Sequence, residues 1–70
     1  MTPKPKTQLD PDRLKAARGD RPREEIALAA GVTTRTLENW ETGRSEPDAS
    51  QLAVIAHVTG KPYEFFFRAA

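Results

Sequence analysis

The chain contains no cysteine and only one histidine among its 70 residues. Without cysteine it has neither a disulfide framework nor a zinc site made of thiolates. His57 has no second histidine with which to share a metal ion, and no nucleophile and orienting group accompany it as an enzyme would require. We therefore expect no metal ion, no cofactor and no catalytic activity.

Long apolar runs are also missing from the chain. No stretch approaches the roughly 20 apolar residues of a membrane span, and the first residues, MTPKPKTQLDP, lack the apolar region of a secretory signal. A chain of this length buries only about 60% of its unfolded surface, which leaves material for one core. The expectation is a single soluble domain in the cytoplasm, with no membrane partner and no room for a domain that binds a small-molecule effector.

The net charge is small, because the chain has 11 lysines and arginines and 10 aspartates and glutamates. The distribution is less even than the total. Residues 1–44 hold nine basic and seven acidic side chains, whereas residues 45–70 hold two and three. This asymmetry is weak evidence that the first part of the chain faces an anionic partner.

Helix start and stop signals divide the chain into five short elements. Asp10 can cap a helix that begins at Pro11, Leu9 and Leu14 have the spacing of a hydrophobic staple, and Pro22 can open the next helix. The predicted helices cover residues 11–18, 22–30, 34–42 and 49–59, followed by an aromatic-rich fifth element over 62–67. A glycine ends each of the first four helices, at positions 19, 31, 43 and 60, and the first of these is expected to be left-handed. No stretch has a strand pattern, so the predicted fold is all-α, a compact five-helix bundle.

The first eight residues differ in composition from the rest of the chain. They carry prolines at positions 3 and 5 and nothing apolar enough to dock on a core. We expect a flexible basic arm over residues 1–8 and a helical domain over residues 9–70. The arm can follow a DNA groove or remain a solvated tail.

The predicted helix at 34–42 is strongly two-sided. At about 100° per residue, its polar side chains fall within an arc of about 140°, while Leu37 and Trp40 point the opposite way. The polar side chains are those of Thr34, Arg35, Glu38, Asn39 and Thr42. Together they carry the donors and acceptors that can read base edges in a major groove. A solvated helix surface would have the same pattern, so amphipathicity alone leaves both interpretations open.

The residues around this helix follow the pattern of a helix-turn-helix. Ala27 is small enough to let the third helix approach the second, and Gly31 can adopt the left-handed turn between them. Leu37 and Trp40 are then expected to be buried together with Ala27 and Leu52.

At this point the chain resembles the DNA-binding domains of the lambda repressor and Cro type, whose sequences often read EELA…GVS…T…YENG…P. The matching stretches here are Glu24-Glu25-Ile26-Ala27, Gly31-Val32-Thr33, Thr36, Trp40-Glu41-Thr42-Gly43 and Pro47. The similarity continues through Leu52, Ile55-Ala56, Gly60 and Phe66-Phe67 and covers roughly residues 9–68. Two features depart from the family pattern: Arg21-Pro22-Arg23 replaces the usual hydroxyl cap and glutamine, and Thr42 replaces an asparagine.

The resemblance implies a role for each matching position. The residues expected to meet base edges are Thr33, Thr34, Arg35, Glu38 and Asn39. Those expected to hold phosphates are Arg23, Thr42, the Gly43 amide and Arg44. Lys15 matches a basic residue that commonly pairs with the glutamate at position 41.

The resemblance also implies a partner and an assembly. The expected partner is double-stranded operator DNA, bound by a homodimer at least on DNA, with half-sites roughly 34 Å apart. Because Tyr63, Phe66 and Phe67 match inward positions of the family, Phe65 is left over for a dimer contact with Val54 or Val58.

The expected function is that of a sequence-specific transcriptional regulator, a minimal phage or prophage protein of the Cro or short-repressor kind. An alternative is a protein-interaction module, such as an antitoxin or a polymerase-contacting factor, that uses the same fold.

Overall fold

The computed structural model describes residues 7–69, and the side chains of residues 8–68. In chain order its elements are β1 (Thr7–Leu9), α1 (Pro11–Arg18), α2 (Arg23–Ala30), α3 (Thr34–Thr42), α4 (Ala49–Thr59), a 3₁₀ turn (Tyr63–Phe66) and β2 (Phe67–Ala69). Helix α3 packs against α1 and α2, while α4 packs against α2 and the 3₁₀ turn. Within this part of the chain no helix has the length and apolarity needed to cross a membrane.

The predicted bounds of the four long helices are confirmed almost to the residue, because local capping sets them. The Asp10 carboxylate accepts the N–H of Asp12 at 3.0 Å at the start of α1. Helix α2 begins one residue later than predicted, since Pro22 is extended (φ −63°, ψ 146°) and occupies the cap position. Gly19 also differs from the prediction: its φ is +61° but its ψ is −130°, outside the left-handed helical region.

The end of the chain corrects the five-helix prediction. The described residues form four α-helices, and the aromatic-rich segment makes only one 3₁₀ turn before it becomes extended at Phe67. Strand β2 pairs antiparallel with β1, with Gln8 opposite Arg68 and Leu9 opposite Phe67. The expectation of no strand is therefore wrong, because this short pairing depends on residues far apart in sequence.

The same pairing shortens the predicted arm. Thr7 and Gln8, assigned to the arm from sequence, belong to β1. The rest of that prediction, residues 1–6, lies outside the described residues.

The core gathers side chains from all four helices and the 3₁₀ turn. Phe66 is fully buried at its centre, and its backbone oxygen accepts the N–H of Asp10 at 2.8 Å. The buried apolar residues are Leu14, Ala17, Ile26, Ala27, Leu37, Trp40, Leu52, Ile55, Ala56 and Phe66. The prediction that Ala27, Leu37, Trp40 and Leu52 are buried together is confirmed.

Three aromatic side chains pack around the core rather than in it. Phe65 and Phe67 are half-buried, and the Phe65 ring meets that of Phe66 edge-on with 5.6 Å between centroids. Tyr63 was expected to point inward, but it is 42% exposed and rests against Phe67 with 5.4 Å between ring centroids. The inward assignment of Tyr63 is therefore wrong, because Phe66 occupies the core and the Tyr63 ring packs on Phe67 at the surface.

Candidate nucleic-acid interface

The turn between α2 and α3 is formed by a left-handed glycine and a backbone hydrogen bond. Gly31 has φ +73° and ψ +30°, and the N–H of Val32 donates to the Ala27 oxygen at 2.9 Å. A Cβ on Gly31 would meet nothing within 4 Å, so the positive φ is what requires glycine here. Thr33 then caps α3 by accepting the N–H of Thr36 at 3.1 Å.

Helix α3 is attached by its apolar side and presents its polar side outward. Leu37 and Trp40 are buried in the core. Thr34, Arg35 and Glu38 are exposed on the opposite side. Asn39 is half-buried beside them. The structure thus agrees with the two-sidedness predicted from the helical period.

Two adjoining recesses run along this exposed surface. The smaller has a volume of about 200 Å³ and is lined by Arg35, Glu38, Asn39, Thr42 and Arg44. The larger, of about 590 Å³, lies between α3, the start of α2 and the α1–α2 loop. It is lined by Arg18, Asp20, Arg21, Pro22, Arg23, Glu24, Thr34, Arg35 and Glu38. Arg35 and Glu38 belong to both recesses, so the two form one continuous surface.

This surface brings together most of the residues predicted to contact DNA. Thr34, Arg35, Glu38, Asn39, Arg23, Thr42 and Arg44 line one or both recesses. Thr33 and Gly43 line neither of them.

Three of the predicted contacts already use their hydrogen-bonding groups within the protein. The Thr33 hydroxyl serves as the α3 cap and lies 3.0 Å from the Thr36 hydroxyl. The Thr42 hydroxyl donates to the backbone oxygen of Glu38 at 3.0 Å, and the Gly43 N–H donates to that of Trp40 at 3.4 Å. The Thr42 hydroxyl and the Gly43 N–H can donate to a phosphate only by sharing or exchanging those bonds.

A buried carboxylate lies beneath the larger recess. Glu41, whose side chain is 2% exposed, accepts two bonds from Arg18: Nε to Oε2 at 2.7 Å and Nη2 to Oε1 at 3.1 Å. Arg23 adds a third, from its Nε to Oε1 at 3.1 Å. The predicted pairing of Glu41 with Lys15 is wrong. Lys15 is exposed, and the arginine at the end of α1 reaches Glu41 instead.

Arg18 and Arg21 are functional candidates that the sequence analysis missed. Arg18 Nη1 donates to the Arg21 oxygen at 2.8 Å, which ties the loop to the Glu41 cluster. The Arg21 guanidinium in turn donates to the Val58 oxygen at the end of α4. The sequence signal that could have identified them is the cluster of three arginines, at positions 18, 21 and 23, around the α1–α2 loop.

Comparison with known proteins is consistent with this geometry. A family model described as helix-turn-helix matches residues 13–66, a span that includes every residue lining the two recesses. Proteins of that family are DNA-binding regulators. The comparison with curated proteins gave no match. Strands β1 and β2 lie outside the matched span.

Proposed function

Because this chain belongs to the helix-turn-helix family of the lambda repressor and Cro type, we propose that it is a transcriptional regulator that reads a double-stranded operator with α3. The observation that carries the proposal is the continuous polar surface formed by the two recesses, which joins the outer side of α3 to Arg23 at the start of α2. An α-helix presented in this way fits the width of a major groove. Selection from a random duplex pool should return a common sequence, whereas a pool that stays random would contradict sequence-specific binding.

The proposed roles follow from position on the surface. Arg35 lies in the first turn of α3, exposed and shared by both recesses, where a guanidinium can bond guanine O6 and N7 together. Glu38 can accept from a cytosine amino group, and Asn39 can bond adenine. Thr33 and Thr34 complete the base-contacting set. Arg23, Arg44, Thr42 and the Gly43 amide are proposed to hold phosphates on either side.

The finer proposal is a minimal phage or prophage protein of the Cro or short-repressor kind that binds as a homodimer. Two copies of α3 would then enter successive major grooves on one side of the duplex, roughly 34 Å apart. Symmetry in the selected sequence would support this arrangement. A single asymmetric site bound by one chain would contradict it.

Removing a base-contacting arginine should change DNA binding differently from removing a phosphate-contacting one. Arg35→Ala is expected to cost roughly 1 to 3 kcal/mol on the selected site and to relax selectivity at one base pair per half-site. Arg44→Ala is expected to weaken all duplexes about equally and to lower the salt slope by about one per subunit. Titrations against the selected site and its single-base variants, at several salt concentrations, measure both effects.

Arg68→Ala is the control for these variants, because it removes the same charge at another place. Arg68 is exposed in β2 and lines neither recess. It should leave the salt slope near that of the parent. If Arg35→Ala lost affinity equally on every single-base variant, Arg35 would be a phosphate contact and not a base reader.

We propose that the dimer contact involves Phe65 with Val54 and Val58. Val54 is exposed on α4, and the half-buried Phe65 ring lies 5.7 Å from the Arg13 guanidinium and 5.3 Å from the Lys61 ammonium.

Phe65→Ser is expected to shift sedimentation from dimer to monomer while the circular dichroism spectrum stays helical. Tyr63→Ser is the matched control, since Tyr63 is the more exposed aromatic. If only Tyr63→Ser dissociated the dimer, the dimer contact would lie near Tyr63 and the two-stranded sheet and not at Phe65.

A further inference from the structure

Glu41 binds two arginines in different ways. Arg18 presents a fork, with Nε and Nη2 on the two carboxylate oxygens, and its side chain is only 14% exposed. Arg23 uses Nε alone and its side chain is 39% exposed. Arg18 is thus the buried partner, while Arg23 reaches Glu41 from the surface.

The cluster of Arg18, Arg23 and Glu41 carries one net positive charge. A single carboxylate neutralises one of the two guanidiniums, and the remaining charge lies at the more exposed Arg23 beside the larger recess. Within residues 7–69, the bond from Nε to Glu41 is the one hydrogen bond that the Arg23 guanidinium makes. The guanidinium is planar, so holding Nε also sets the plane in which Nη1 and Nη2 lie.

We propose that Glu41 is a positioning residue for DNA binding, which fixes the Arg23 guanidinium so that its terminal nitrogens bond one phosphodiester of the duplex. The inference rests on the proposed function and deepens it. Glu41 itself touches no DNA, because it is buried beneath the two arginines. Its effect on the duplex passes through Arg23, whose Nε is held while Nη1 and Nη2 bind phosphate.

The chemistry of arginine makes this role separable from a purely structural one. If Arg23 served only to balance Glu41, or acted on DNA only as a point charge, lysine at position 23 would do equally well. A lysine has a single ammonium group, and the buried carboxylate draws it inward. Lysine can therefore satisfy Glu41 or the phosphate, whereas arginine satisfies both at once.

Arg23→Lys is the test, with Arg23→Ala beside it and Arg44→Lys as the matched control. Arg44 is exposed at the other end of α3 and forms no ion pair with the described residues, so lysine there keeps its charge available to phosphate. Affinity for the selected duplex is measured for each variant over a range of salt concentrations, together with the thermal midpoint of the free protein.

The salt slope of Arg23→Lys is expected to fall by about 0.9 per subunit, the value for one lost phosphate contact and the same as for Arg23→Ala. Arg44→Lys should keep the parent slope. The thermal midpoint of Arg23→Lys should stay near that of the parent, because the lysine still balances Glu41.

A parent-like slope for either Arg23 variant would overturn the positioning role. Failure of the proposed function is distinguishable, since then the parent itself would show no salt-dependent affinity for duplex DNA.

Discussion

Glu41→Ala is expected to lower the free energy of unfolding by about 3 to 5 kcal/mol, the range for removing one partner of a buried ion pair. The substitution leaves Arg18 partly buried with no carboxylate to bond, and it releases Arg23 as well. It also breaks a link between the end of α1, the start of α2 and the last turn of α3. Urea unfolding followed by circular dichroism measures the change through the midpoint and slope.

A loss of this size is large for so small a domain. At about 0.05 to 0.15 kcal/mol per residue, a chain of 70 residues has a total stability of only about 4 to 10 kcal/mol. The Glu41→Ala substitution should therefore remove roughly a third or more of the total stability.

Glu38→Ala is the control for the Glu41 substitution. It removes the same side chain one turn earlier on α3, where the carboxylate is exposed and forms no ion pair within residues 7–69. It should change stability by no more than about 0.5 kcal/mol. Equal unfolding midpoints for the two variants would mean that the Glu41 cluster contributes little to folding.

The helix bounds could be predicted because the groups that set them are neighbours in sequence. Asp48 and Gln51 form a reciprocal capping box, with bonds of 2.8 and 2.9 Å between each side chain and the other residue's backbone N–H. Asp10 and Thr33 cap their helices through residues two and three positions ahead. Such interactions depend on local spacing alone, so the residue types reveal them.

The strand pair could not be predicted, because its partners lie at opposite ends of the chain. Leu9 and Phe67 face each other across the sheet, but three residues on each side are too few to show an alternating pattern. The aromatic run has the same difficulty. Its spacing does not say which ring is buried, and tertiary packing selects Phe66 while Tyr63 stays exposed.

The candidate site was predictable to the extent that one helical period describes it. The polar side of α3 follows from the spacing of Leu37 and Trp40, which packing against the core turns inward. The ion-pair partners of Glu41 could not be predicted in this way, because they depend on how the folded chain places α1 and the start of α2 against α3. The family resemblance pointed to Lys15 in α1, whereas the folded chain brings Arg18 and Arg23 to Glu41.

The contact between α2 and α3 should be the most sensitive part of the core to added volume. Ala27 is 2% exposed within the cluster that holds Leu37 and Trp40, so Ala27→Leu has no room for three more carbon atoms. Overpacking of this kind typically costs about 1 to 3 kcal/mol. Since α2 and α3 must move apart to relieve it, the folded fraction should also lose affinity for the selected duplex.

Leu52→Ala provides the contrast, because it removes volume from the same core. Leu52 lies on α4 and is 3% exposed, so truncation should cost about 2 to 5 kcal/mol through lost burial and the cavity left behind. Because Leu52 belongs to neither α2 nor α3, its truncation is expected to leave their close approach at Ala27 unchanged. The folded fraction of Leu52→Ala should therefore bind the duplex as the parent does, even though less of the protein is folded.

Ala29→Leu completes the comparison. Ala29 is exposed on the same helix as Ala27, so the same three carbons enter solvent there, and stability should change by no more than about 0.5 kcal/mol. Unfolding curves give the stability of the three variants, and duplex titrations corrected for the folded fraction give their affinity. If Ala27→Leu matched Ala29→Leu in both measurements, close approach of α2 and α3 at Ala27 would not be what presents α3 to DNA.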